Sequence, residues 1–447
     1  MTSNQTVIGK NSNPVKETIG IKIIFIGALI LLLFLIMGGL IQNLIDERES
    51  RRDSVIAEIS QKWGERQTIT GPFITVPFKT FYKDNFGRTQ FNLHHLQILP
   101  EALDITGEIK PEIRYRSFFE AVLYNIRLKF TGNFKLPPIN HLSIEANNIL
   151  WDKASLSLGI TDLRGIQEKI VINFNGSDYN ASPGLKTDDI TKAGVSVPLQ
   201  ALSLNESNNF SFDLNLNGSE QINFIPVGET NTLAINSSWP SPSFNGAFLP
   251  ATREISKDGF SAKWKVLHLN RNFPQFWEDN QFYVDQSAFG LQLILTADIY
   301  RKVTRLVKYS IIFLIFTFAA FFLSEIINRQ KLHPIQYLFT GIAILIFYTL
   351  VLSLSEHINF NYAYVLSATA VTLIISGYAK AIVRNPGFAA TIMGILTILY
   401  CYLFIILQLE DYALIMGSIG LLFIISLVMY ITRKINWYEI DTMPQPE

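Results

Sequence analysis

The chain of 447 residues carries one cysteine, Cys401. No disulfide can form within it, and multi-cysteine zinc or iron–sulfur sites are excluded. An excess of charge of one sign is lacking as well. Lys and Arg number 37, Asp and Glu number 37, and the formal net charge is zero. That balance gives no basis for nucleic-acid binding. Catalytic signatures are missing: there is no Gly-rich phosphate loop, no Gly-x-Ser-x-Gly elbow and no His-Glu-x-x-His. Neither a cofactor nor a metal centre is therefore expected. His94 and His95 are adjacent in a strand-like stretch, where neighbouring side chains point to opposite faces, so the pair is not expected to chelate one ion.

Apolar residues, by contrast, make up 49% of the chain. About 20 of them span a bilayer core. Five such runs follow residue 305, at 306–327, 334–354, 360–379, 388–408 and 412–431, and a sixth lies at 23–45. Within a bilayer the backbone must satisfy its own hydrogen bonds, so each run is read as a helix. None has a proline near its middle, which weighs against the broken helices of transporters. The run 23–45 is longer than a signal-peptide core and no Ala-x-Ala site follows it, so an uncleaved anchor is expected. Its Gly38-Gly39 pair would permit close helix packing. The helix is expected to continue through the charged stretch 46–63.

Orientation follows from Lys and Arg in the short connections. Arg329 and Lys331, Lys380 and Arg384, and Arg433 and Lys434 mark one side. The opposite connections, 355–359 and 409–411, hold no Lys or Arg. Both termini are then cytoplasmic and the large insert is outside. Arg51, Arg52 and Arg301 break the simple rule, but large domains translocate largely regardless of such charges.

The insert reads as β-rich. Phe210, Phe212, Leu214 and Leu216 alternate with polar residues, the period of a half-buried strand. Turn signals recur at Asn175-Gly176, Pro183-Gly184, Asn217-Gly218 and Asn245-Gly246. Residues 118–130 are the best helical stretch of the insert. The expected fold class is thus an α+β membrane protein with six transmembrane helices, one N-terminal and five C-terminal, and a β-sandwich inserted after the first. The boundaries are a cytoplasmic tail 1–22, an anchor 23–45, a periplasmic domain 46–304, a five-helix bundle 305–432 and a cytoplasmic tail 433–447.

Ionisable groups beside or within the spans are costly, and so are candidates for function. Glu325 lies near the inner end of the second span. Glu356, His357, Glu410 and Asp411 share the outer depth. Arg301, Arg305 and Lys308 fall on one helix face descending to that depth. An ion-pair collar is expected there, either anchoring the helices or coupling the bundle to the insert. Trp264 and Trp277 belong to an aromatic-rich segment with Pro and Gly; such rings either fill a β core or serve a binding surface.

Several spaced stretches support a resemblance. In the insert these are Asp162-Leu-Arg-Gly165, Trp239-Pro-Ser-Pro-Ser-Phe-Asn-Gly246, Phe248-Leu-Pro-Ala-Thr-Arg-Glu-Ile-Ser-Lys-Asp-Gly-Phe260 and His268-Leu-Asn-Arg-Asn-Phe-Pro274. In the membrane part they are Lys308-Tyr309, His333-Pro-Ile-Gln-Tyr337, Phe347-Tyr348, Leu352-Ser-Leu-Ser-Glu-His357, Gln408-Leu-Glu-Asp-Tyr412 and Arg433-Lys-Ile-Asn-Trp-Tyr438. Together they resemble the CreD family of inner-membrane proteins. One departure is Leu295-Thr-Ala-Asp298, where a Pro-Val-Asp pattern is expected and only Asp298 matches. The resemblance implies a bacterial inner-membrane protein with a periplasmic domain, tied to envelope integrity, colicin tolerance and a stress response under two-component control. It implies no enzymatic reaction.

The expected function is therefore a non-enzymatic envelope protein whose partners are the lipid bilayer and a periplasmic or cell-wall component. Two other classes stay open. One is a transporter or channel for an envelope precursor using Glu325, Glu356 and His357. The other is a membrane-embedded hydrolase or transferase with Glu356 and His357 as acid and base. The oligomeric state is not readable from the sequence.

Overall fold

The computed structural model describes residues 14–117, 119–138, 144–200, 202, 207–295, 299–327, 332–409 and 412–433. The chain divides into two compact units. One comprises Met1–Arg51 with Asp298–Glu447, the other Arg52–Ala297.

The first unit is helical. A helix at Pro14–Ile36 passes through a π turn at Met37–Ile41 into a further helix, Gln42–Trp63. Helices follow at Ile299–Lys308, Ser310–Ile327, Pro334–Ser355, Phe360–Val383, Pro386–Gln408 and Ala413–Thr432. Among the described residues, four helices are long and apolar enough to cross a membrane, and a fifth is added if the bent pair at Ile299–Lys308 and Ser310–Ile327 counts as one span. The pair is bent by 46°. The expected single run 306–327 is therefore broken: its first residues belong to an amphipathic helix that buries Tyr300, Val303, Leu306 and Val307 and leaves Arg301 and Lys308 exposed.

Helix starts are set by local chemistry. The side chains of Asn359 and Asn385 cap the first turns of two of these helices, and Pro334 and Pro386 occupy first-turn positions, where a missing N–H costs nothing. At Gly38-Gly39 no close helix packing is seen among the described residues. A methyl group at either position would meet nothing within 4 Å. The close approach is at Gly341, where an added Cβ would collide with Leu33 and press on Phe318. There a glycine lets the N-terminal helix and two later ones share one contact.

The second unit is a two-sheet β structure. Among the described residues one sheet has nine strands. Its path runs Pro242–Gly246, Phe289–Leu293, Gln221–Ile225, Gln67–Lys83, Ser155–Ile160, Gly194–Pro198 and Ser182–Pro183. Thr89–Ile98 pairs the far half of Gln67–Lys83 and carries Phe276–Glu278 on its other edge. The second sheet has eight strands, in the order Thr252–Ser256, Gly259–Leu267, Thr230–Ser237, Ala102–Arg116, Phe119–Phe134, Asn208–Ser219, Val171–Phe174 and Ser177–Asn180. One apolar core takes residues from both sheets. Alternation decides which residues enter it: Phe210, Phe212, Leu214 and Leu216 are buried while Asp213 is exposed.

Two expectations are corrected here. Residues 119–134 form a strand, not a helix, paired on one side with Ala102–Arg116 and on the other with Asn208–Ser219. Ile126, Leu128 and Phe130 face the core and Arg127 and Lys129 face outward, a period of two that non-local pairing selects. Phe118 lies outside the described residues. Asn217-Gly218 is not a turn either; the strand runs straight through it. Gly218 is required because an added Cβ would collide with the buried Tyr124 ring, and the reversal falls at Glu220, with φ 58°. Asn175-Gly176, by contrast, is a hairpin turn with φ 50° and 80°, joining Val171–Phe174 to Ser177–Asn180.

Candidate functional site

In the helical unit, Glu325 is fully engaged. It forms an ion pair with Lys22 from the N-terminal helix, and both side chains are nearly buried. Its other oxygen accepts the Tyr337 hydroxyl at 2.7 Å. The Leu332 N–H donates at 3.2 Å to Oε1, the oxygen paired with Lys22, and the Lys22 ammonium also donates to the Leu332 carbonyl at 2.8 Å. A charge taken out of water needs such partners. Three separate stretches converge on this carboxylate, and its cation comes from a residue the sequence offered only as part of a tail.

Glu356, directly after Pro334–Ser355, is 7% exposed. Arg48 approaches it at 3.5 Å, and the Tyr300 hydroxyl lies 3.5 Å from its other oxygen. Arg48 belongs to the helix Gln42–Trp63. Arg301, Arg305 and Lys308 do lie opposite the buried face of Ile299–Lys308. Their neighbour Lys302 sits 5.6 Å from the centre of the Phe360 ring, a cation–π distance. His357 is exposed. Glu410 and Asp411 lie outside the described residues.

In the β unit, Trp264 and Trp277 are core residues, only 2% and 4% exposed. Trp264 packs against Phe244 and Phe289 at 5.6 and 5.9 Å, joining the two sheets, and its indole N–H donates to the Phe248 carbonyl. Trp277 is flanked by Phe273 and Phe282. Edge-to-face packing of this kind stabilises a core. These rings offer no surface to a partner.

Two of the stretches that carried the resemblance act as fasteners. Asp162 Oδ1 accepts from the Arg164 backbone N–H and Nε at 3.1 and 2.8 Å, and Oδ2 accepts from the Glu65 N–H at 2.9 Å. Burial alone would raise this carboxyl, but the Arg164 and Glu65 hydrogen bonds outweigh it and hold it below the ordinary value. Arg271 is buried and donates to the carbonyls of Phe273 and Val227 at 2.5 and 3.1 Å. Burial pulls its guanidinium down to about 10, against the opposing pull of Glu229.

The β unit carries a polar groove of about 800 Å³ on the outward face of the eight-stranded sheet. Register places its side chains in rows. Thr106 opposes Lys129, which opposes Asp213; Glu108 opposes Arg127, which opposes Asn215. Glu168 and Lys169 close one side, with Asn215 donating to Glu168 at 3.0 Å. Both signs of charge alternate, and among the described residues no aromatic side chain lines the groove. It was not legible in the sequence, because its residues come from strands scattered over more than a hundred positions.

Apolar helices long enough to cross a bilayer, together with a large two-sheet β unit, define a multi-pass membrane protein with a substantial extramembranous part. The family model described as "Inner membrane protein CreD" matches residues 18–438. The chain is also 30% identical over 419 residues to the "Inner membrane protein CreD" of Escherichia coli (strain K12), covering 92% of each. The chain belongs to the CreD family, and so is a membrane protein of the cell envelope. That family is named for its membrane location rather than for a reaction.

Proposed function

We propose that this chain is a non-enzymatic inner-membrane protein that supports envelope integrity by holding a periplasmic partner in the groove of its β unit. It spans the membrane six times, at 23–45, 310–327, 334–354, 360–379, 388–408 and 412–431, with both termini cytoplasmic. The distribution of Lys and Arg in the short connections supports that orientation. The groove is the observation that carries the function. It is an open concavity of the β unit, and its alternating charges suit a hydrated polar chain such as a peptide. A sugar face would call for stacking rings, and the groove has none.

The ionisable residues of the helical unit are read as locks. Glu325 and Glu356 each have a cation and a tyrosine hydroxyl beside them. A proton relay or an acid–base pair needs a group free to exchange its proton with substrate, which favours the non-enzymatic reading.

Complementation tests this. A host lacking the gene is supplied with the wild type, with Arg127→Glu/Lys129→Glu, or with Glu356→Ala/His357→Ala. Dye and detergent leakage are scored, and membrane levels are checked by blot. The groove variant should reach the wild-type level in the membrane and fail to restore the barrier. Full rescue by that variant would remove the groove from the function. A normally abundant Glu356→Ala/His357→Ala variant that fails would move the function to the helical unit.

A further inference from the structure

We propose that His95, Asp189 and Asp279 form a binding site for a divalent transition cation of the Zn2+ or Mn2+ kind in the β unit. One ligand atom from each of the three lies within 4.8 Å of the others, and all three side chains are partly buried. They come from three distant places: the strand Thr89–Ile98, the segment before Gly194–Pro198, and the residue after Phe276–Glu278. Ligands around a tetrahedral ion at about 2.1 Å stand roughly 3.4 Å apart. His95 Nδ1 already stands 3.9 Å from Asp189 Oδ2, close to that spacing.

The supports around the ligands are already built. The His94 ring Nδ1 is 2.6 Å from Asp279 Oδ2, and the His95 backbone N–H donates to Asp279 Oδ1 at 2.8 Å. Gln97 donates to Asp189 Oδ2 at 2.9 Å and itself accepts the Thr75 hydroxyl at 2.8 Å. Outer hydrogen bonds of this kind fix carboxylates and imidazoles for metal binding. Asp279 adopts φ 50°, a left-handed conformation that Asp tolerates better than most residues. His94 turns away, stacked on Phe78 at 5.4 Å, so the adjacent histidines divide the work between ligand and support.

One imidazole and two carboxylates select a borderline ion. Imidazole favours Zn2+ over Ca2+ or Mg2+, and paired carboxylates admit Mn2+. Three protein ligands leave at least one position for water. The ion would cross-link three segments of a unit that has no disulfide.

The test uses the full chain, purified in detergent with its affinity tag removed. It is equilibrated with 10 μM Zn2+ or Mn2+ at pH 7.5 and passed through a desalting column, and bound metal is counted by mass spectrometry. One equivalent should remain on the wild type. Asp189→Asn and Asp279→Asn should each lower the affinity at least a hundredfold, and His94→Gln by about ten- to a hundredfold. Asn keeps the left-handed conformation at 279, so that variant is expected to fold, and circular dichroism checks it. Loss of metal at unchanged fold supports the site. No retained metal on the folded wild type, equal retention by both Asn variants, or a preference for Ca2+ would overturn it.

Discussion

Lys22 and Glu325 stand 303 residues apart and meet as an ion pair, with the Tyr337 hydroxyl on the second carboxylate oxygen. The pair closes the N-terminal helix onto the helices at Ser310–Ile327 and Pro334–Ser355. Removing one partner leaves the other charge without its counter-ion in a poorly solvated place, at a cost of about 3–5 kcal/mol. Lys22→Met and Glu325→Leu should each lower the melting temperature of the detergent-solubilised protein markedly. The double variant should recover much of the loss. Full additivity of the two single effects would show that the pair is not coupled.

Trp264→Ala should destabilise the β unit by about 3–5 kcal/mol, because it removes a ring that joins the two sheets. Trp264→Phe should cost less. In complementation, failure of the alanine variant should track its reduced membrane level, measured by blot. An alanine variant that is as stable and as abundant as the wild type would contradict its place in the core.

The acid limb of stability should depend on Asp162. Its folded-state value lies below the ordinary 3.8, because hydrogen bonds from Arg164 and Glu65 favour the charged form more than burial disfavours it. A depressed carboxylate contributes stability that is fully present above its unfolded value, about 3.9, and is lost as pH falls through the folded one. Asp162→Asn should therefore be less stable than wild type at pH 7, and the difference should shrink between pH 4 and pH 2. The measurement is denaturant unfolding across that range. A difference that is constant with pH would contradict the assignment.

The single cysteine makes orientation easy to test. In a Cys401→Ser background, a cysteine in place of the exposed Tyr283 should react with a membrane-impermeant maleimide on intact spheroplasts. One in place of Arg433 should react only after lysis. The reverse pattern would invert the proposed topology.

Much of this architecture was written locally. The apolar runs marked the helices, and the alternation at Phe210, Phe212, Leu214 and Leu216 marked a strand with its inward face. What failed depended on distant partners. Residues 119–134 contain enough consecutive apolar side chains, Val122, Leu123 and Tyr124 among them, to read as helix until two neighbouring strands claim both edges. The break before Ser310 carries no proline or glycine to mark it, only Lys308, Tyr309 and Ser310. Glu325 and Glu356 were legible as costly charges, but their partners Lys22 and Arg48 were not, because pairing over such separations leaves no local pattern. Likewise, the adjacent histidines pointed away from chelation, whereas His95 meets Asp189 and Asp279 only through the fold.

The groove is tested most directly by photo-crosslinking in living cells. A photoreactive amino acid is placed at Thr106, on the groove, and separately at the exposed Leu269, outside its lining. Irradiation should give a discrete higher-mass adduct from position 106 and none from position 269, and Arg127→Ala/Lys129→Ala should abolish it. No adduct from position 106, or the same adduct from both positions, would contradict a partner held in the groove.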